Sequence, residues 1–265
     1  MEFRTRVQVG SPDFLIEPME EMLFVGSCFA ENIGRRFVEE KFRATVNPFG
    51  VMYNPVSILH TVQRFEGTPR VVFLTLGTNH VYRLRETGEI VDNCQKRPAS
   101  LFSEEQLSVD ECADALRQTV TLLRSRRSDV HVVLTVSPIR YRKYGYHESQ
   151  LSKATLLLAA DKVAAQEALA YFPAYEIVMD ELRDYRFYKE DMLHPSDQAV
   201  EYLWQQLEQH YLSPAARQFL EEWHPVKEAL SHRPFHPDSE EYKAFMDKTM
   251  LRVAKLSEKY PTFAL

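Results

Sequence analysis

Cysteine is scarce in this chain, and basic residues are outnumbered. The three cysteines among 265 residues, Cys28, Cys94 and Cys112, are odd in number and widely spaced, which excludes a disulfide framework and a cysteine-based metal knuckle. A reducing compartment suits them. With 32 basic against 38 acidic residues the net charge is -6, so the chain lacks the clustered positive charge that binding to nucleic-acid phosphates requires. The short basic run Arg124-Ser-Arg-Arg127 reads as a solvated helix end. Long apolar runs are also missing: no window approaches the roughly 18 apolar residues of a membrane span. The first twenty residues carry Glu2, Arg4, Arg6, Asp13, Glu17 and Glu20, which interrupt the ~7–15-residue apolar stretch of a signal peptide. The expected location is cytoplasmic, with neither a nucleic-acid nor a membrane partner. There is no internal repeat and no low-complexity tract.

What is present is the mix of an ordinary globule, 45% hydrophobic and 26% charged, enough for a sizeable core. Short apolar runs ending in turn residues and followed by helical periodicity mark a parallel α/β sheet. Four such runs read as buried strands: 21–26, 71–77, 130–136 and 175–179. Phe42 to Val46 adds a further strand. Helices are expected after the first run, with Phe29, Ile33 and Phe37 on one face; from the Asn54-Pro55 cap to Phe65; over 103–126, 152–170 and around 200–211. Residues 81–93 alternate around Thr87-Gly88 as an inserted hairpin. Beyond Ser213 only helical patterns remain, carrying Phe219, Trp223, Val226, Leu230, Tyr242, Phe245, Met246, Met250 and Val253. The expected organisation is therefore an α/β domain over 1–212 and a helical extension over 213–265. Its large apolar residues pack on the core or on a second subunit, and its 233–238 linker passes over the surface towards the site.

Ligands of open parallel sheets bind outside the carboxyl ends of the strands. There this sequence places Ser27 at the turn into a helix, Gly77-Thr78-Asn79-His80, Ser137-Pro138, and Asp191 with His194 three residues on. An aspartate that accepts from one imidazole nitrogen leaves the other free as a base, and a serine hydroxyl needs such a base to attack an ester. Each residue also has a structural reading: Ser27 as an N-cap, Gly50 and Gly77 as turn glycines, His80 as a surface group, Cys28 as buried packing on the helix's apolar face. His232 and His236 stand four apart, but Pro234 breaks the helix that would bring them to one face, so no metal site is expected.

Gly26-Ser27-Cys28-Phe29-Ala30 resembles the pentapeptide that names the GSCFA family, a branch related to the SGNH (GDSL-like) hydrolases. The segments 47–50, 53–55, 76–78, 93–96, 136–138 and 191–195 are similar to family segments as well, over approximately residues 20 to 212. The resemblance implies a flavodoxin-like three-layer sandwich with a central parallel sheet of about five strands, here with a C-terminal helical appendage. It implies a serine esterase that acts without a cofactor on a small-molecule or carbohydrate O-acyl ester. Ser27 is then the nucleophile, His194 the base and Asp191 its orienting carboxylate. The oxyanion hole comprises the Ser27 and Gly50 backbone N–H groups and the Asn79 side chain, with His80, Asn93, Gln95 and Lys96 on the substrate. Two departures from the wider pattern stand out: no aspartate precedes Ser27, and His80 follows Asn79. A non-catalytic protein that keeps the pocket for binding is the competing reading, and a thiol enzyme built on Cys28 a third.

Overall fold

A computed structural model describes residues 4–265; of the charged residues counted at the start of the chain, Glu2 lies outside them. In chain order the elements are β1 (Glu21–Gly26), α1 (Cys28–Glu39), β2 (Arg43–Val46), α2 (Pro55–Arg64), β3 (Val71–Leu76), β4 (His80–Leu84), β5 (Ile90–Val91) and β6 (Phe102–Gln106). There follow α3 (Val109–Arg126), β7 (His131–Val136), α4 (Tyr146–Glu167), β8 (Ala170–Tyr171) and α5 (Ala174–Glu176), which runs into a π-helical turn over Ile177–Leu182. The last three helices are α6 (Asp197–Tyr211), α7 (Pro214–Ser231) and α8 (Glu240–Lys259).

Five strands form one parallel sheet in the order β2-β1-β3-β7-β8. Side chains alternate across a strand, so β1 sends Met22 and Phe24 to one face and Leu23 and Val25 to the other. The first face packs Phe24 and Phe73 against Phe29, Phe37, Leu203 and Trp204 of α1 and α6; the second packs Leu23, Val25, Leu74 and Leu76 against residues of α2, α3 and α4. Three layers result, in the flavodoxin-like strand order. Because β1 is flanked by β2 on one side and β3 on the other, the crossovers diverge at the β1/β3 carboxyl ends. A crevice opens there.

Helix starts follow their capping chemistry. Asn54 Oδ1 accepts from Ser57 N at 2.9 Å ahead of Pro55, and Ser108 with Glu111 closes a capping box. That box corrects one expectation: α3 starts at Val109, and Phe102–Gln106 ahead of it is a strand, which joins β4 and β5 in a three-stranded antiparallel sheet. A second correction concerns 175–179, which is helical; the edge strand is the shorter Ala170–Tyr171. Pro173 turns the chain at φ -81°, after which Ile177 and Val178 bury against the sheet face from helical backbone. A short apolar run is compatible with either geometry.

The C-terminal helices continue the α1/α6 face. Phe219, Leu220, Trp223 and Val226 of α7 join that core, and Val253 and Leu256 of α8 with Phe263 cover α7. Glu40, fully buried at the end of α1, meets Arg36 at 3.2 Å, Lys227 at 2.8 Å and His224 at 3.3 Å, which ties α7 to α1 through a desolvated carboxylate. Leu230, Phe245 and Met250 stay more exposed than their size leads one to expect, at 37%, 41% and 46%. No helix among the described residues is long and apolar enough to cross a membrane.

Candidate active site

Ser27 sits where β1 hands over to α1. Gly26 precedes it at φ 144°, a conformation that favours glycine, and a side chain there would collide with the Thr75 carbonyl. The loop after β2 wraps this junction. Gly26 N donates to Asn47 Oδ1 at 2.9 Å, Met52 N to the Gly26 carbonyl at 2.9 Å, and both Gly77 N and Thr78 N to the Tyr53 carbonyl at 2.8 Å. Backbone therefore fixes the rim. Ser27 is 1% exposed, and its Oγ accepts from Phe29 N at 3.3 Å, so the cap and the candidate nucleophile are one residue.

The other wall comes from the chain between the π-helical turn and α6. Asp191 Oδ1 accepts from Leu193 N at 2.8 Å and His194 N at 3.0 Å, while Oδ2 meets His194 Nδ1 at 2.6 Å. These bonds, the backbone N–H of His194 first among them, hold the Asp191 carboxyl well below the usual carboxylate range. An ionised carboxylate only accepts, so Nδ1 carries the proton and Nε2 of a neutral ring keeps its lone pair. Arg140 N donates to the Leu193 carbonyl and its guanidinium to that of Met192, both at 3.0 Å, which joins this loop to the one after β7.

Ser27 and His194 line one cavity of about 400 Å³ together with Cys28, Tyr53, Gly77, Thr78, Ser137, Ile139, Tyr141, Leu193 and four cations, Arg140, Arg142, Lys143 and Lys153. Among the described residues no hydrogen bond joins Ser27 Oγ to the His194 ring; Asp191 stands behind the ring, outside the lining. The remaining residues named for the site lie elsewhere. Gly50 N donates to the Asn47 carbonyl at 2.9 Å within a turn, at φ 94°, and is exposed. Asn79 is buried with Nδ2 on the Leu107 carbonyl at 2.7 Å. His80 is buried rather than on the surface and stacks on Tyr144 at 4.0 Å; desolvation lowers its imidazole. Asn93 Oδ1 closes a local turn on Gln95 N at 2.7 Å, with Gln95 and Lys96 both at positive φ. None of these six lines the cavity. Nor does any residue of 213–265, so the 233–238 linker does not narrow its mouth.

Cys28 departs from its expected place in the helix's apolar face. It is half-buried, lines the cavity, and sets Sγ 3.8 Å from the Tyr53 hydroxyl, whose own pKa is pushed up to about 12 by burial and by the neighbouring thiol. Lys153 is the residue that sequence reasoning missed. Fully buried on α4, its Nζ donates to the Gly77 carbonyl at 2.7 Å and the Ser137 carbonyl at 2.8 Å, with desolvation pulling the ammonium down to about 7. A signal was there: Ser149, Lys153, Leu156, Ala160 and Val163 recur at helical spacing, which puts a lysine on an inward stripe. Among the described residues no group of three His, Cys, Asp or Glu is placed to hold a metal ion.

The model of the GSCFA family matches residues 21–69 and 61–207, and that of the GSCFA domain protein, C-terminal domain, matches 223–265. The chain belongs to the GSCFA family. Among solved structures similar to this GSCFA protein, one reaches a TM-score of 0.50 and shares its fold. A Streptococcus pneumonia protein provisionally named as a platelet activating factor is 18% identical over 73% of this chain and 84% of its own, with a TM-score of 0.50. A provisionally named GDSL-like lipase from Parabacteroides merdae is 14% identical over 74% and 98%, at 0.49. A variant of an acetyl-xylooligosaccharide esterase from Geobacillus Stearmophilus is 14% identical over 74% and 95%, at 0.46. At such identities the likeness concerns the fold. No curated protein matches the chain.

Proposed function

We propose that this GSCFA protein is a serine ester hydrolase of the SGNH type, acting on small O-acyl esters, those of carbohydrates included, in a reducing cytoplasmic setting. Ser27 attacks the ester carbonyl, His194 Nε2 takes its proton and returns it to the leaving alcohol, and Asp191 holds the ring and stabilises its protonated form. Water then hydrolyses the acyl-enzyme. The observation that carries this reading is the shared cavity, with Ser27 on one wall and, on the other, a His194 ring anchored through Nδ1 at 2.6 Å. The oxyanion needs preorganised donors. Of the three named from the sequence, the Ser27 N–H is the most weakly committed, 3.3 Å from the Thr75 carbonyl, against 2.9 Å for Gly50 and 2.7 Å for Asn79. The neighbouring Cys28 N–H, at the first position of α1, has no acceptor within its helix, and the helix dipole adds to its pull on an anion.

A fluorophosphonate probe on the full chain tests the reading. Labelling confined to Ser27 and lost in Ser27→Ala is expected. No labelling across pH 6 to 9 would favour the second reading, a non-catalytic binding protein, which the capping bond on Ser27 Oγ supports. Labelling or turnover that survives Ser27→Ala and is sensitive to iodoacetamide would point to Cys28.

A further inference from the structure

Four cations and no Asp or Glu line the cavity, in a chain whose acidic residues outnumber its basic ones by 38 to 32. Two of the four are already committed. Lys143 pairs with Glu104 at 2.8 Å and with the Tyr144 hydroxyl at 2.7 Å, and Arg140 lies 4.4 Å over the Tyr146 ring with its guanidinium on the Met192 carbonyl. Arg142, exposed at the mouth, forms no ion pair among the described residues. Lys153, at the floor, has two carbonyls for partners and no carboxylate. A buried charge without a counter-charge is costly, and an anion brought to it would offset that cost. A purely structural strut between α4 and the ends of β3 and β7 would not need to face the cavity. Beyond its two carbonyls Nζ faces the Tyr175 ring at 6.0 Å, which leaves one ammonium N–H with no oxygen acceptor among the described residues.

The floor position says where such an anion sits on a substrate. Gly77, whose carbonyl Lys153 grips, backs directly onto Ser27: a Cβ built on Gly77 would stand 3.4 Å from the Ser27 Cβ. Lys153 is buried and Arg142 exposed, so the two cations divide the cavity, with the buried side assigned here to the acyl chain of an ester attacked by Ser27 and the exposed side to its alcohol. An anion on the acyl chain therefore meets Lys153, whereas one on the alcohol meets Arg142.

Resting on the ester-hydrolase reading above, we infer that the preferred substrate is a monoester of a short dicarboxylic acid, with its free carboxylate received by Lys153 at the cavity floor. The bond broken is the ester C–O: Ser27 Oγ bonds the acyl carbon, the alcohol leaves with the proton relayed by His194, and water releases the dicarboxylate. The distal carboxylate is unchanged throughout.

The test compares monoethyl succinate with ethyl levulinate, which replaces the carboxylate by a neutral acetyl group of the same shape, and with acetoxyacetate, which carries the anion on the alcohol side. Ethanol or acetate release is followed for the full chain. The expected kcat/KM ratio of succinate to levulinate is about 10- to 100-fold, the worth of a charged hydrogen bond, and it falls towards one in Lys153→Met. A native ratio near one, a ratio that Lys153→Met leaves intact, or a preference for acetoxyacetate overturns the assignment. If no ester is turned over, the hydrolase reading fails separately; calorimetric binding of intact monoethyl succinate, but not of ethyl levulinate, that Lys153→Met removes would still uphold the anion site, and no binding would end it. Should Lys153→Met not fold, the succinate complex of Ser27→Ala decides: a carboxylate within hydrogen-bond distance of Lys153 Nζ is expected, and one seated at Arg142 alone refutes the proposal.

Discussion

The Ser27 wall of the cavity hangs on the ends of β1 and β3, where backbone hydrogen bonds and a glycine at positive φ leave little freedom, whereas the His194 wall is a more exposed loop tied by the Asp191 carboxylate, by Arg140 on two carbonyls and by backbone bonds within the loop, Lys189 N to the His194 carbonyl at 2.8 Å among them. Ser27 is 1% exposed; the His194 and Asp191 side chains are 37% and 43% exposed. Buried donors at the first wall act in a low dielectric, where electrostatic interactions are strong. The second wall can adjust its ring to a substrate, which suits a base whose hydrogen bond to the nucleophile tightens only on binding. Division of labour of this kind makes separate predictions for each wall.

The largest effect belongs to Ser27. Ser27→Ala is expected to lower ester turnover about ten-thousandfold or more, since loss of a nucleophile leaves only binding and oxyanion stabilisation. Because Ser27 Oγ also caps α1, the same change costs about 1 kcal/mol of stability, read by denaturant unfolding. A stability loss without any catalytic loss would make it a cap alone and erase the contrast between the walls.

Asp191→Asn follows. Asn keeps an Oδ1 acceptor for the Leu193 and His194 amides, so the loop should hold its shape, yet its amide no longer fixes Nδ1 as the proton carrier. Turnover should fall by roughly 100-fold or more with the melting temperature unchanged within error. Equal turnover would show that the exposed wall takes no part.

Gly26→Ala probes the rigid wall from behind. Its Cβ would meet the Thr75 carbonyl group and Cβ at a backbone angle that L-residues avoid, with no flexible side-chain tip to yield. A destabilisation of about 3 kcal/mol is expected in urea unfolding. A neutral outcome would mean the β1/β3 junction is as adjustable as the His194 loop.

Legibility in the sequence divides along the same line. The strands carrying the rigid wall are continuous apolar runs, and β1, β3 and β7 lie where their patterns placed them. Ser27, Asp191 and His194 could be singled out because their residue types follow strand ends or stand three apart. By contrast, 175–179 is apolar enough for a strand, and only the turn at Pro173 and packing against the sheet make it helical. Gly50 and Asn79 are named through resemblance, but the Gly50 N–H closes a local turn on Asn47, and the Asn79 amide bonds the Leu107 carbonyl 28 residues on, a contact that no local pattern announces. Lys153 shows the same limit in reverse. Its inward stripe is visible in sequence, while the carbonyls it meets come from two other strands' ends.

Lys153 supplies the last effect, the smallest over any single pH unit: a pH dependence of stability. Its folded-state pKa of about 7 lies below the ordinary lysine value of 10.5, so between these two the unfolded chain binds a proton that the folded chain has shed. Stability attributable to Lys153 therefore rises with pH through this window, by roughly 1.4 kcal/mol per pH unit, and is lost as pH falls through 7. Cys112 and Tyr53, raised to about 12 by burial, act in the opposite sense at the alkaline end, as do the buried phenols of Tyr171 and Tyr211. Subtracting the curve of Lys153→Met cancels these contributions, leaving the lysine's own slope. A flat difference between pH 7 and 9 would mean that Lys153 stays charged in the folded chain through its two carbonyl bonds alone. Saturating succinate should flatten the native slope as well, because an anion at Nζ favours the ammonium and lifts its pKa back towards the unfolded value.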